Sequence, residues 1–181
     1  MILLFTIVLS SMMVYAQSPN AKEVKAIQVF LNQPSADGTT NAQALGVNVS
    51  NPADWNGVTW SGGNVVAIDW KDKKLAGVLN LENFKKLKSV DVSRNQLTGL
   101  SVSGSAVLSE LNANRNRLTQ LKVDGCTELA KLSVYHNRLL DLEFTGTPML
   151  VNVNVSSNHL VTLNVSNALN LTTLNCQGNH L

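Results

Sequence analysis

The chain is poor in cysteine, with two in 181 residues. Two thiols support neither a disulfide-dense scaffold nor a four-ligand zinc site. Charge is scarce too: charged residues make up 14%, and 14 Lys+Arg against 12 Asp+Glu leave a net of +2. Without a general basic excess, no nucleic acid partner is expected. Hydrophobic residues reach 44%, so the low charge does not signal disorder. The length suits one domain.

Residues 1–16 contain no charged side chain. Ile2 to Ser10 form an apolar run, and Val14-Tyr15-Ala16 places small side chains at the usual cleavage positions. The pattern reads as a secretory signal peptide cut before Gln17, although the customary basic leader is missing. The run is shorter than the ~20 residues that span a bilayer, and no later segment is apolar enough to do so. No cysteine near the cleavage point offers a lipid anchor. The expected localisation is secreted or cell surface.

From Leu87 onward the chain repeats every 21 residues without insertion. Leu87, Leu108, Leu129, Leu150 and Leu171 share the first phase. Val90, Leu111, Leu132, Val153 and Leu174 follow three later, then Val92, Ala113, Val134, Val155 and Cys176. An asparagine ladder comes next: Asn95, Asn116, Asn137, Asn158 and Asn179. Leu97, Leu118, Leu139, Leu160 and Leu181 close the unit. Alternation around Val90 has period 2, so each repeat supplies one short strand. A lone strand cannot bury its apolar face, and stacking the coils in parallel can. The ladder falls where the strand turns, placing amides to satisfy backbone groups freed by the turn.

The pattern L-x-x-L-x-L-x-x-N-x-L resembles the leucine-rich repeat superfamily, in particular its short bacterial surface type related to internalins. The resemblance implies a mostly β, α/β-type solenoid. It would be a right-handed coil with a parallel concave sheet and a short N-terminal helical cap. The expected organisation is a signal peptide at 1–16, a cap at 17–64 and repeats at 65–181. One repeat is irregular, four are complete and one is partial.

In the second half of each repeat, Gly104, Gly125, Gly146 and Asn167 align. These residues tolerate positive φ and predict a shared tight turn. The convex side is therefore expected to be extended segments rather than helices. Residues 20–33 predict a helix with Asn20 as N-cap and Val24, Ile27, Phe30 and Leu31 on one face. The stretch from there to Trp60 is similar to the cap of plant-type leucine-rich repeat proteins, with Trp60 where that family has cysteine. Trp55, Trp60 and Trp70 read first as plugs of the open core end. The alternative is a carbohydrate platform, with Trp55 as its exposed member.

Little chemistry can be singled out. Cys126 and Cys176 are too far apart in the coil order to pair. His159 and His180 share a phase, but no third ligand is evident, so no metal is expected. No Ser-His-Asp order, carboxylate pair or phosphate loop stands out, and the reading is a non-enzyme without cofactor. The repeat grammar itself generates most of the sequons, those at Asn154, Asn164 and Asn170 beside Asn48.

Concave faces are where the superfamily usually binds, which points to protein–protein recognition or adhesion by the outward strand positions. Among these mostly small polar residues, Arg94, Arg115, Tyr135 and His136 form a diagonal patch of interface-anchor types. The partner would be a protein of unknown identity, with a glycan as the alternative. Five coils at ~4.8 Å span about 24 Å. That gives a few hundred Å² against the ~800 Å² per partner of a stable interface. The chain stops midway through a coil, so the expectation is a segment of a longer repeat protein, which could equally carry an enzyme domain or a cell-wall anchor.

Overall fold

A computed structural model describes residues 17–181; the expected signal peptide lies outside the described residues. The 21-residue period becomes a stack of coils. The strands are β1 Val58–Ser61, β2 Asn64–Asp69, β3 Ala76–Asn80, β4 Ser89–Asp91, β5 Gln96–Ser101, β6 Glu110–Asn112, β7 Gln120–Lys122, β8 Lys131–Ser133, β9 Asn152–Asn154 and β10 Thr173–Asn175. A long sheet has the order β1-β2-β4-β6-β8-β9-β10, and a second sheet has the order β3-β5-β7. Among the described strands, β1 and β2 pair antiparallel and the rest parallel. In the long sheet Val90, Leu111, Leu132, Val153 and Leu174 stand opposite one another in unbroken parallel register. The fold is a mostly β parallel-sheet solenoid of about five turns with a short helical cap.

Strands β4, β6, β8, β9 and β10 of the long sheet are only three residues long because each needs just one inward side chain. Val90, Leu111, Leu132 and Val153 are at most 2% exposed, while their neighbours face out. Leu87, Leu108, Leu129 and Leu150 close the core from one side and Leu97, Leu118, Leu139 and Leu160 from the other, all at 0%. Each such leucine contributes roughly 1.5–3 kcal/mol of burial. In the last coil Leu174 is 38% and Leu181 58% exposed.

The opposite side consists of extended segments and turns. No helix follows Asp54 among the described residues. Gly104, Gly125 and Gly146 have φ of 72°, 70° and 69°, and Asn83 joins their column at 61°. Asn167 does not: its backbone is not left-handed, since an asparagine permits that conformation without requiring it. The glycines also stack closely, for a Cβ on Gly146 would lie 3.1 Å from Gly125 N.

The cap begins with α1, Ala21–Leu31, whose first turn is held by Asn20 Oδ1 accepting the Lys22 N–H at 3.1 Å. Ile27, Phe30 and Leu31 are buried and Val24 half-buried, and Phe30 stacks on Trp70 at 5.6 Å. A second helix, α2 Asn41–Leu45, carries a Thr40–Gln43 capping box. Trp55 corrects an expectation. It is 3% exposed, donates its Nε1–H to Asn48 O at 2.9 Å and packs on Trp60. Its indole covers the core end, and its ring offers no open face.

β1 covers the edge of β2, while side-chain amides cover β3. Gln33 accepts the Val78 N–H and donates to Val78 O, both at 2.8 Å. Asn41 accepts the Ala76 N–H at 3.1 Å and donates to Ala76 O at 2.9 Å. Two amides thus imitate a neighbouring strand, the pairing that an open edge lacks.

Candidate binding face and turn edge

The asparagine ladder fixes the turn that follows each strand of the long sheet. Asn116 Nδ2 donates to Val92 O of the preceding coil at 2.9 Å and to Ala113 O of its own at 3.2 Å, while its Oδ1 accepts the Leu97 N–H at 3.0 Å. Asn137, Asn158 and Asn179 repeat this arrangement one coil at a time. Asn95 does the same with Trp70 O and Leu75 N, and also accepts the Lys73 N–H where the first repeat lacks its own asparagine. Each amide joins two coils through groups that would otherwise be unpaired.

The residue before each ladder asparagine is left-handed. Arg94, Arg115, His136 and Ser157 have φ of 58°, 54°, 53° and 54°, and Gly178 has 67°. Three of the four proposed patch residues therefore stand in the turn beyond the strand rather than on it, and Tyr135 likewise follows the end of β8. The strand face is narrow, because the chain turns as soon as the inward valine or alanine is placed.

Arg115, Tyr135 and His136 come together. The Arg115 guanidinium lies 5.6 Å from the Tyr135 ring centre, with Nε 3.5 Å from the hydroxyl. Tyr135 meets His136 edge-on at 5.4 Å. Arg94 is one coil away and exposed, and makes no side-chain hydrogen bond or ion pair among the described residues.

Beside this edge the outward side chains of the long sheet line a groove of about 760 Å³. Its lining mixes amides and hydroxyls with Asp69, Asp91, Glu110, Lys131 and apolar side chains such as Ile68 and Leu111. Asp91 accepts from Asn112 Nδ2 at 2.9 Å, and Lys131 pairs with Glu110 at 2.6 Å. Asp91, Asn112, Asn154 and Asn175 each accept the N–H two residues on. These Asx turns direct the chain into the left-handed residue. The column is legible in repeats such as Asn112-Ala113-Asn114 and Asn154-Val155-Ser156.

His159 and His180 stack at 5.8 Å with exposed rings. No three His, Cys, Asp or Glu side chains converge among the described residues. Both cysteines are free. Burial pushes the Cys126 thiol up to about 11, so it stays protonated, donating to Val102 O at 3.2 Å. The arrangement is suited to binding by hydrogen bonds and charge.

No protein-family model matches the chain, and a search of curated proteins finds no match. No helix among the described residues is long and apolar enough to cross a membrane.

Proposed function

We propose that this protein is an exported, non-enzymatic recognition module of the leucine-rich repeat type, binding a protein partner through the groove and the edge beside it. The observation that carries the reading is the ordered Arg115–Tyr135–His136 cluster at the rim of a parallel sheet whose outward side chains stand in fixed columns. Tyrosine and arginine give large contact area and directional hydrogen bonds at modest entropic cost, which is why they anchor interfaces. The groove offers a partner both polar groups and apolar surface. With a face of a few hundred Å², binding by this segment alone is weak.

The glycan reading fares worse, because burial of Trp55 removes one of its two stacking platforms. The decisive test starts with a protein ligand selected against the wild-type chain from a displayed library. Changing Arg94, Arg115, Tyr135 and His136 together to Ala is expected to weaken that ligand by at least about tenfold, the scale of one interface anchor. A Kd within about twofold of wild type sets the patch aside. Amino-terminal sequencing of the exported product should begin at Gln17.

A further inference from the structure

All four arginines and all three histidines of the sequence lie in two rows flanking the buried asparagine ladder. One row holds Arg94, Arg115 and His136. The other holds Arg117, Arg138, His159 and His180. Main-chain bonds stack both rows in register. Arg94, Arg115 and His136 donate to the following coil at 2.8, 2.9 and 3.0 Å, and Arg117, Arg138 and His159 donate to the preceding one at 2.9 Å each. Every one of these side chains is exposed. Elsewhere in the chain every basic residue is a lysine.

We infer that this turn edge is a docking ridge for a linear acidic polysaccharide, gripped by Arg94, Arg115, Arg117 and Arg138. Residue type is the first argument. Lysine serves for solubility, whereas the planar guanidinium binds carboxylate and sulfate groups through paired hydrogen bonds. The second argument is that these arginines hold no charged partner: Arg94, Arg117 and Arg138 make no side-chain hydrogen bond among the described residues, and Arg115 touches only the neutral Tyr135. The one ion pair among the described residues is Lys131–Glu110, so no carboxylate is in contact with the ridge arginines. The third is backbone cost. Arg94 and Arg115 occupy left-handed positions that disfavour a side chain by roughly 1 kcal/mol or more, and Gly178 shows what the turn itself prefers.

Spacing and hydrogen-bond supply choose the ligand class. Neighbouring coils are ~4.8 Å apart, comparable to the advance of one pyranose unit in an extended chain. The ridge N–H groups are consumed by coil–coil bonding, so a peptide cannot add as a strand and recognition falls to side chains alone. Regularly spaced acid groups on a straight carbohydrate meet that requirement.

Heparin is the probe, titrated against the full chain at low and moderate salt. Binding is expected, weakening as salt rises. Arg117→Gln with Arg138→Gln should weaken it by at least about tenfold, as should Arg94→Gln with Arg115→Gln. Circular dichroism melting verifies that each variant folds. A control with Lys22, Lys25, Lys86 and Lys122 all changed to Gln should stay within about twofold, exposed charges of that kind contributing little. Arg117 and Arg138 lie outside the patch proposed for a protein partner, so their loss should spare the selected protein ligand and keeps the two ideas separable. The ridge is overturned if either arginine pair binds heparin like wild type. It is overturned equally if the lysine control loses as much, or if poly-glutamate or phosphatidylglycerol vesicles bind and heparin does not.

Discussion

Asn114 holds Tyr135 across the coil boundary: its Oδ1 accepts the Tyr135 N–H at 2.9 Å and the Ser133 hydroxyl at 2.9 Å. The reason is local. Neighbouring coils have Asn or Asp in the column that satisfies the N–H two residues on, but this coil has Ser133, too short for the task. Asn114 supplies the missing acceptor from the coil before and so orients the aromatic ring at the centre of the proposed patch.

Replacing Asn114 with Ala should therefore leave the Tyr135 N–H without its acceptor. A cost of about 1–3 kcal/mol follows if water does not reach it. Adding Ser133→Asn restores the local Asx acceptor and should recover part of the loss. Urea unfolding of the two variants checks this. No recovery in the double variant would mean that Asn114 acts through packing.

The ladder itself should show a gradient. Asn116 is buried and joins two complete coils, whereas Asn179 is half-buried at the last one. Asn116→Ala removes three buried hydrogen bonds at roughly 1 kcal/mol each, and about 3 kcal/mol is expected. Asn179→Ala should cost about 1 kcal/mol or less, on the same scale. Asn116→Asp should be worse than Ala, because a carboxylate would face two carbonyl oxygens. Equal costs at both positions would show that the coils do not share load through these amides.

The parts of this architecture legible in sequence are those that recur. Four apolar phases and the asparagine column repeat often enough to identify inward positions without any contact information. The left-handed turn was hidden because arginine and histidine occupy it in three coils, and only Gly178 betrays it. Trp55 does plug the core end, but its full burial is not legible in the sequence, since the cap has no period against which to test one aromatic. Gln33 and Asn41 were invisible for a different reason: their partners lie 45 and 35 residues away, and a glutamine carries no local sign of pairing with a strand edge.

Glu23 makes stability depend on pH in an unusual direction. It is 4% exposed and accepts the Val65 N–H at 2.7 Å. Burial raises its pKa above the ordinary carboxylate value, and the hydrogen bond only partly opposes this. A raised folded pKa means that the native state binds the proton more tightly than the unfolded chain does. This group's contribution is thus fully present below the unfolded value near 4.5 and is lost as pH rises through the folded pKa. Glu23→Gln keeps an acceptor without the charge and should match or exceed wild-type stability at pH 7, with a flatter pH profile between 4 and 7. Glu23→Ala orphans a buried N–H and should cost about 1–3 kcal/mol. Thermal melts across that range decide the sign.

The strand-mimicking amides of the cap give the last prediction. An unpaired edge is a template for another chain, and Gln33 and Asn41 stand between β3 and that outcome. Asn41 is fully buried and also donates to Phe30 O at 3.0 Å, so Asn41→Ala should destabilise by about 2–3 kcal/mol, from two or three lost buried bonds. Gln33 is only half-buried, and its N–H and carbonyl partners at Val78 can turn to water once it is gone. Gln33→Ala should therefore cost little in a dilute unfolding experiment yet raise self-association, read by light scattering as concentration increases. The two variants separate two roles that one hydrogen-bond pattern combines: Asn41 satisfies buried groups, and Gln33 denies an accessible edge to neighbours. Unchanged association in Gln33→Ala would place the protection elsewhere, in α1 or in the Pro34–Thr40 turn that packs alongside.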